Sequence, residues 1–175
     1  MGKVISERRV IEQPEIVIPD KVSELLREVV ADMRAVAAMK NVKFDMKTWI
    51  GDDGDVCTVC AAGAWLLNKF VKGEDIVDVK RAFYSMRTSD VGVIMAAVDY
   101  LRGTDVETFL VQLEGLYPDI KRYCTKHRVN GNGLLDSPLF NDLEACFPAG
   151  YDSSNYQSVV TLFEKCATVL EQHNL

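Results

Sequence analysis

The sequence predicts an all-α protein, a single compact domain of seven or eight helices preceded by a short extended N-terminal arm. A chain of 175 residues with 48% hydrophobic and 26% charged residues is typical of one globular domain. Apolar residues recur at helical spacing in several segments, and helix-capping residues precede many of them. No segment alternates long enough to indicate a strand. We therefore assign residues 1–19 to the arm and 20–175 to the helical domain.

The clearest amphipathic helix follows Pro19 and Asp20 and runs to about Lys40. Asp20 is the expected N-cap, since a short carboxylate can accept hydrogen bonds from the first backbone N–H groups. The apolar positions follow i, i+3, i+4, i+7 spacing and are Val22, Leu25, Leu26, Val29, Val30, Met33, Val36 and Ala37. Charged residues occupy the opposite positions, which indicates a helix with one face in water.

Residues 41–56 are expected to form a non-helical connection that ends in an acidic turn, Gly51-Asp-Asp-Gly-Asp55. This connection contains Phe44, Met46 and Trp49, and exposed loops seldom carry three large apolar side chains, so it should fold back onto the domain. A helix is then predicted from Cys57 to about Val71, and its small residues around Gly63 favour a close helix–helix contact.

Helix-capping and helix-breaking residues indicate where the remaining helices begin and end. They are predicted at about 75–86, at 90–102, from Thr104, from Pro118 to a turn at 130–133, from Ser137-Pro138 to about Cys146, and from the capping box at Ser154. The last helix has an apolar stripe formed by Val159, Leu162, Phe163, Cys166, Val169 and Leu170.

Composition excludes several functional classes. The net charge of -6 and the absence of a Lys/Arg cluster argue against nucleic-acid binding. No stretch reaches the roughly 18 consecutive apolar residues of a membrane span. The N-terminus lacks the apolar core of a secretory signal, and five dispersed cysteines are typical of reduced thiols, so we expect a cytoplasmic protein.

Two pairs of metal-ligand residues stand out, Cys57-Thr-Val-Cys60 and Cys124-Thr-Lys-His127. On a helix, residues three apart share a face, so each pair could present two ligands to one ion. A Cys3His set is a common structural arrangement for zinc. A zinc-stabilised domain is therefore one hypothesis. The alternative is that these cysteines are buried thiols that act as small apolar side chains, and no other cofactor is expected.

Catalytic motifs are absent from the sequence. It has only two histidines and no nucleophile elbow, phosphate-binding glycine loop or zinc-protease motif. We therefore predict no catalytic residues and favour a non-enzymatic role. A small-molecule pocket beside Trp49 and Trp65 remains an alternative.

The segment Phe44-Asp-Met-Lys-Thr-Trp49, followed by Cys57-Thr-Val-Cys60-Ala-Ala-Gly63, resembles a motif of small uncharacterised proteins from bacteria and their phages. The resemblance covers about twenty residues and implies an accessory protein that acts through protein contacts. Our leading hypothesis is a phage-encoded modulator or inhibitor of a host protein. Its binding surface or structural seam would comprise Phe44, Met46, Trp49, Cys60, Gly63 and Trp65.

Overall fold

The protein combines helices with a small β-sheet. A computed structural model describes residues 17–46, 48, 50–53, 56–70, 118–126, 137–147, 149, 151–152 and 154–175. The helices are α1 (Val22–Ala37), α2 (Ala61–Phe70), α3 (Pro118–Lys126), α4 (Pro138–Glu144) and α5 (Tyr156–Gln172), and the strands are β1 (Val42–Phe44), β2 (Ile50–Asp53) and β3 (Val56–Val59). The all-α prediction is therefore wrong, and the fold is of the α/β type.

The sheet lies in the segment that the sequence predicts to be a connection and a helix start. Its strand order is β1-β3-β2, with β1 parallel and β2 antiparallel to the central strand. In β3, Cys57 and Val59 are buried while Val56 and Thr58 are half-buried. This alternation spans only four residues, which is too short for a periodicity test to separate a strand from a helix.

Helix α1 lies between α2 and α5 and also contacts β1. Its predicted apolar stripe is confirmed from Val22 to Val36, because every predicted position in that range is buried. The last predicted position, Ala37, is exposed. The N-cap is Lys21 rather than Asp20, and its side chain makes no capping hydrogen bond.

The two C-terminal helices begin with side-chain caps. Ser137 caps α4 by accepting a hydrogen bond from the Phe140 N–H at 3.1 Å, as its position before a proline predicts. The cap of α5 is Asn155, one residue later than the predicted Ser154. Its side-chain oxygen accepts from the N–H groups of Gln157 and Ser158.

Helix α3 starts at Pro118, as predicted. The helices predicted at 75–86, at 90–102 and from Thr104 lie outside the described residues, as do residues 1–16 of the predicted arm. The largest fully buried side chains of the described core include Trp65 of α2, Met33 of α1 and Phe163 of α5. Packing of α1 against α2 and α5 therefore accounts for much of this core.

Candidate functional site

Cys57 and Cys60 do not share a helix face. Cys57 lies in β3, Cys60 follows the strand, and α2 begins only at Ala61. Both side chains are fully buried. The prediction of a helix that starts at Cys57 is wrong. Residues Val56–Val59 pair with a strand on each side, and hydrogen bonds to distant strands cannot be read from the local sequence.

Cys60 occupies the N-cap position of α2. Its Sγ accepts a hydrogen bond from the Gly63 N–H at 3.4 Å, and its carbonyl accepts from the Ala64 N–H at 2.8 Å. This is the geometry of a serine or asparagine cap, with sulfur in place of oxygen. The thiol therefore has a structural partner at the start of the helix.

The other half of the predicted zinc site is not fully described. Cys124 lies on α3, but the placement of its side chain, and the whole of His127, fall outside the described residues. Within the described ranges, no group of three or more His, Cys, Asp or Glu side chains could hold a metal ion. The four-residue zinc site stays a prediction. Elemental analysis tests it, because the site requires about one zinc per chain.

The predicted seam residues contribute mainly to packing. The rings of Phe44 in β1 and Tyr156 in α5 pack in a tilted arrangement with centroids 4.5 Å apart, and Met46 is buried. Gly63 and Trp65 are buried in α2. Trp49 lies outside the described residues. A fully buried Trp65 ring offers no area to a partner or a ligand at the surface.

A polar cluster crosses the rim of the α1–α2 contact. The Trp65 indole N–H donates to Glu28 Oε2 at 3.0 Å, and Lys69 Nζ donates to the same oxygen at 3.2 Å. Asn68 donates to Asp32 Oδ1 at 2.7 Å. Asp32 Oδ2 is buried and accepts no hydrogen bond from any described residue. Burial raises the pKa of Asp32 above its ordinary value, and the Asn68 hydrogen bond and Lys69 oppose that shift.

Two thiols meet where α4 ends against α5. Cys146 and Cys166 are both buried and hydrogen-bond each other, and the Cys146 thiol also donates to the Asp142 carbonyl at 3.4 Å. The bond from Cys166 lowers the pKa of Cys146. The same bond, together with burial, raises the pKa of Cys166. Neither cysteine belongs to the predicted zinc set.

Sequence reasoning missed a hydrogen-bonded array of Tyr123, His173 and Asp142. The Tyr123 hydroxyl bonds to His173 Nδ1, and His173 Nε2 lies 2.7 Å from Asp142 Oδ2. The members are 50 and 31 residues from His173, so no local motif reveals them. We call these three residues the tyrosine–histidine–aspartate array. It is the described cluster whose residue types best suit proton transfer.

The edge of the sheet formed by β2 is a second candidate for a functional surface. Strand β2 pairs with β3 on one side, and no described strand pairs with it on the other. Its sequence ends in Asp52-Asp53. An edge strand presents backbone N–H and C=O groups that can pair with another chain.

Comparison with protein families, with curated proteins and with solved structures finds no match for this chain. Among the helices that the structure describes, none is both long enough and apolar enough to cross a membrane.

Proposed function

We propose that this chain is a non-enzymatic accessory protein that binds another protein, a phage-encoded modulator or inhibitor of a host factor. The observation that carries the proposal is the position of β2 at an edge of the described sheet, next to the central strand β3. The edge of a sheet is a template on which another chain can add a strand. Addition of an extended segment to a sheet edge is a recurrent mode of protein recognition.

Charge indicates the kind of segment that this edge would bind. The sequence of β2 ends in two aspartates, Asp52 and Asp53, and the whole chain has a net charge of -6. A partner segment that contains lysine or arginine would therefore be attracted during approach, and an acidic one would be repelled. Backbone hydrogen bonds would supply much of the affinity, and the charges would supply selectivity.

A pull-down with matched variants tests this proposal. The tagged chain is compared with Asp52→Lys/Asp53→Lys and with Glu24→Lys/Glu144→Lys, which reverses two exposed charges on α1 and α4. We expect one stoichiometric protein to bind the wild type and the helix variant but not the strand variant. A wild-type chain that retains no stoichiometric protein would overturn the binding role. Equal retention by both variants would overturn the assignment to β2.

A further inference from the structure

The tyrosine–histidine–aspartate array joins three helices. Tyr123 belongs to α3, Asp142 to α4, and His173 is the C-cap of α5. Ile120 and Leu143, on the first two of these helices, are buried. The array is therefore attached to packed helices rather than to a loop, which limits the movement of its members.

When His173 is neutral, its two hydrogen bonds set the direction in which a proton can move. The carboxylate oxygen of Asp142 accepts, so His173 Nε2 carries the hydrogen and donates it. In a neutral imidazole the other ring nitrogen, Nδ1, is then an acceptor, and the Tyr123 hydroxyl donates to it. The order hydroxyl, imidazole, carboxylate is the order that activates the serine of hydrolases, with tyrosine as the hydroxyl and the two ring nitrogens exchanged.

The surroundings of the array suit a reaction at Tyr123. The His173 side chain is only 15% exposed, whereas the Asp142 side chain is 51% exposed. The rings of Tyr123 and His173 meet edge to face, with centroids 5.1 Å apart and an interplanar angle of 84°. This packing holds the imidazole in place, and Tyr123 as a whole residue is half-buried rather than fully buried.

We propose that Tyr123 is a nucleophilic tyrosine, with His173 as its general base and Asp142 as the residue that positions the imidazole, and that it accepts an acyl group from activated esters. The Tyr123 O–H bond breaks, and its proton moves to His173 Nδ1. The phenol oxygen forms a bond to the acyl carbon while the ester C–O bond breaks, and the leaving group departs with the bonding electron pair. This stoichiometric acylation goes beyond the proposed binding role and does not depend on it.

Acetylation by p-nitrophenyl acetate tests the proposal. The full chain is treated with the ester, and peptide mass mapping follows acetylation of each tyrosine with time. We expect Tyr123 to react at least about tenfold faster than Tyr151 and Tyr156 in the same wild-type molecule, because general-base assistance contributes about 100-fold or more in enzymes. This internal comparison needs no variant. Equal rates at the three tyrosines would overturn the proposal.

Variants then test the role of each partner. His173→Gln should slow acetylation of Tyr123 by about 100-fold, since glutamine cannot take the proton. Asp142→Asn should slow it by about tenfold, and Asp142→Glu should retain more of the rate because it keeps a carboxylate. Tyr156→Phe is the matched control and should leave acetylation of Tyr123 unchanged. A His173→Gln protein with an unaltered circular dichroism spectrum and an unaltered rate at Tyr123 would show that His173 is not the base.

Discussion

Trp65 and Glu28 are joined by one hydrogen bond, from the indole N–H to Oε2 at 3.0 Å. The indole lies in the core, but the Glu28 side chain is 43% exposed, so the bond lies at the rim of the α1–α2 contact. An indole nitrogen can only donate, and a buried donor that loses its acceptor is costly. The stability of the α1–α2 contact should therefore depend on the acceptor at position 28.

We expect Glu28→Ala to lower the free energy of unfolding by about 1–2 kcal/mol. Glu28→Gln should cost less, because its amide oxygen can still accept from the indole. Urea unfolding near neutral pH measures both losses, and Glu24→Ala, at an exposed position of the same helix, is the control. Equal losses for the two Glu28 variants would show that the ion pair with Lys69 matters more than the hydrogen bond.

Asp32 should make stability depend on pH. Because burial raises its pKa above the ordinary value of 3.8, the folded protein holds this proton more tightly than the unfolded chain does. The contribution of Asp32 to stability is therefore full below about pH 3.8 and is lost as the pH rises through the higher pKa of the folded state. Above that pKa, ionisation of a carboxylate with one unsatisfied oxygen destabilises the fold.

The variant Asp32→Asn tests this sign. Its stability relative to the wild type should be more favourable at about pH 7 than at about pH 3.5, since asparagine carries no charge and keeps an acceptor for Asn68. Thermal melts at both pH values measure the difference. Asp20→Asn, an exposed change of the same type, is the control. A difference of the opposite sign would mean that the attraction between Asp32 and Lys69 outweighs the cost of burial.

The helices α1, α4 and α5 can be predicted from sequence because their signals are local. The apolar stripe of α1 repeats within a few residues, and Ser137 lies next to the backbone groups that it caps, while the cap of α5 lies one residue after its predicted position. The small sheet cannot be predicted in this way. Cys57 pairs with Val42 in one neighbouring strand and with Asp52 in the other, and neither pairing leaves a periodic pattern in three- and four-residue strands.

The candidate site shows the same limit more strongly. The Cys57–Cys60 spacing is visible in the sequence, but the helix on which its zinc interpretation depends is a strand and a cap. The tyrosine–histidine–aspartate array has no spacing signal, since three separate helices bring its members together. His173 has a hydrogen-bond partner at each of its ring nitrogens, but in the sequence it is only a residue that follows a helix. Only tertiary packing reveals that array.

Gly51 lies opposite Thr58 in the β2–β3 pair, and the contact is close. A Cβ at position 51 would lie 2.1 Å from Thr58 Oγ1 and 3.0 Å from Thr48 Cγ2. We expect Gly51→Ala to lower the free energy of unfolding by about 1–3 kcal/mol, because one of these side chains must move. Replacing Thr58 with alanine removes the Oγ1 atom and leaves Cβ at 3.5 Å, an ordinary contact distance.

A double-mutant cycle measures the coupling between these two residues. Gly51→Ala should cost less in the Thr58→Ala background than in the wild type, with a residual cost from Thr48. Urea unfolding of the wild type, the two single variants and the double variant gives the four free energies. If the two substitutions are additive, Gly51 and Thr58 do not face each other as the register requires.

The Cys60 cap predicts an unusual order of stabilities. Cys60→Ala removes the acceptor for the Gly63 N–H and should lower the free energy of unfolding by about 1–2 kcal/mol. Cys60→Ser should cost less, because its hydroxyl oxygen can accept the same hydrogen bond. Ala167→Ser, at a buried position of α5 away from this cap, measures the cost of a buried hydroxyl without this benefit. If Cys60→Ser lowers the free energy of unfolding more than Cys60→Ala does, Cys60 is a packing residue alone. A buried cysteine that only fills space is better replaced by an apolar side chain than by a hydroxyl.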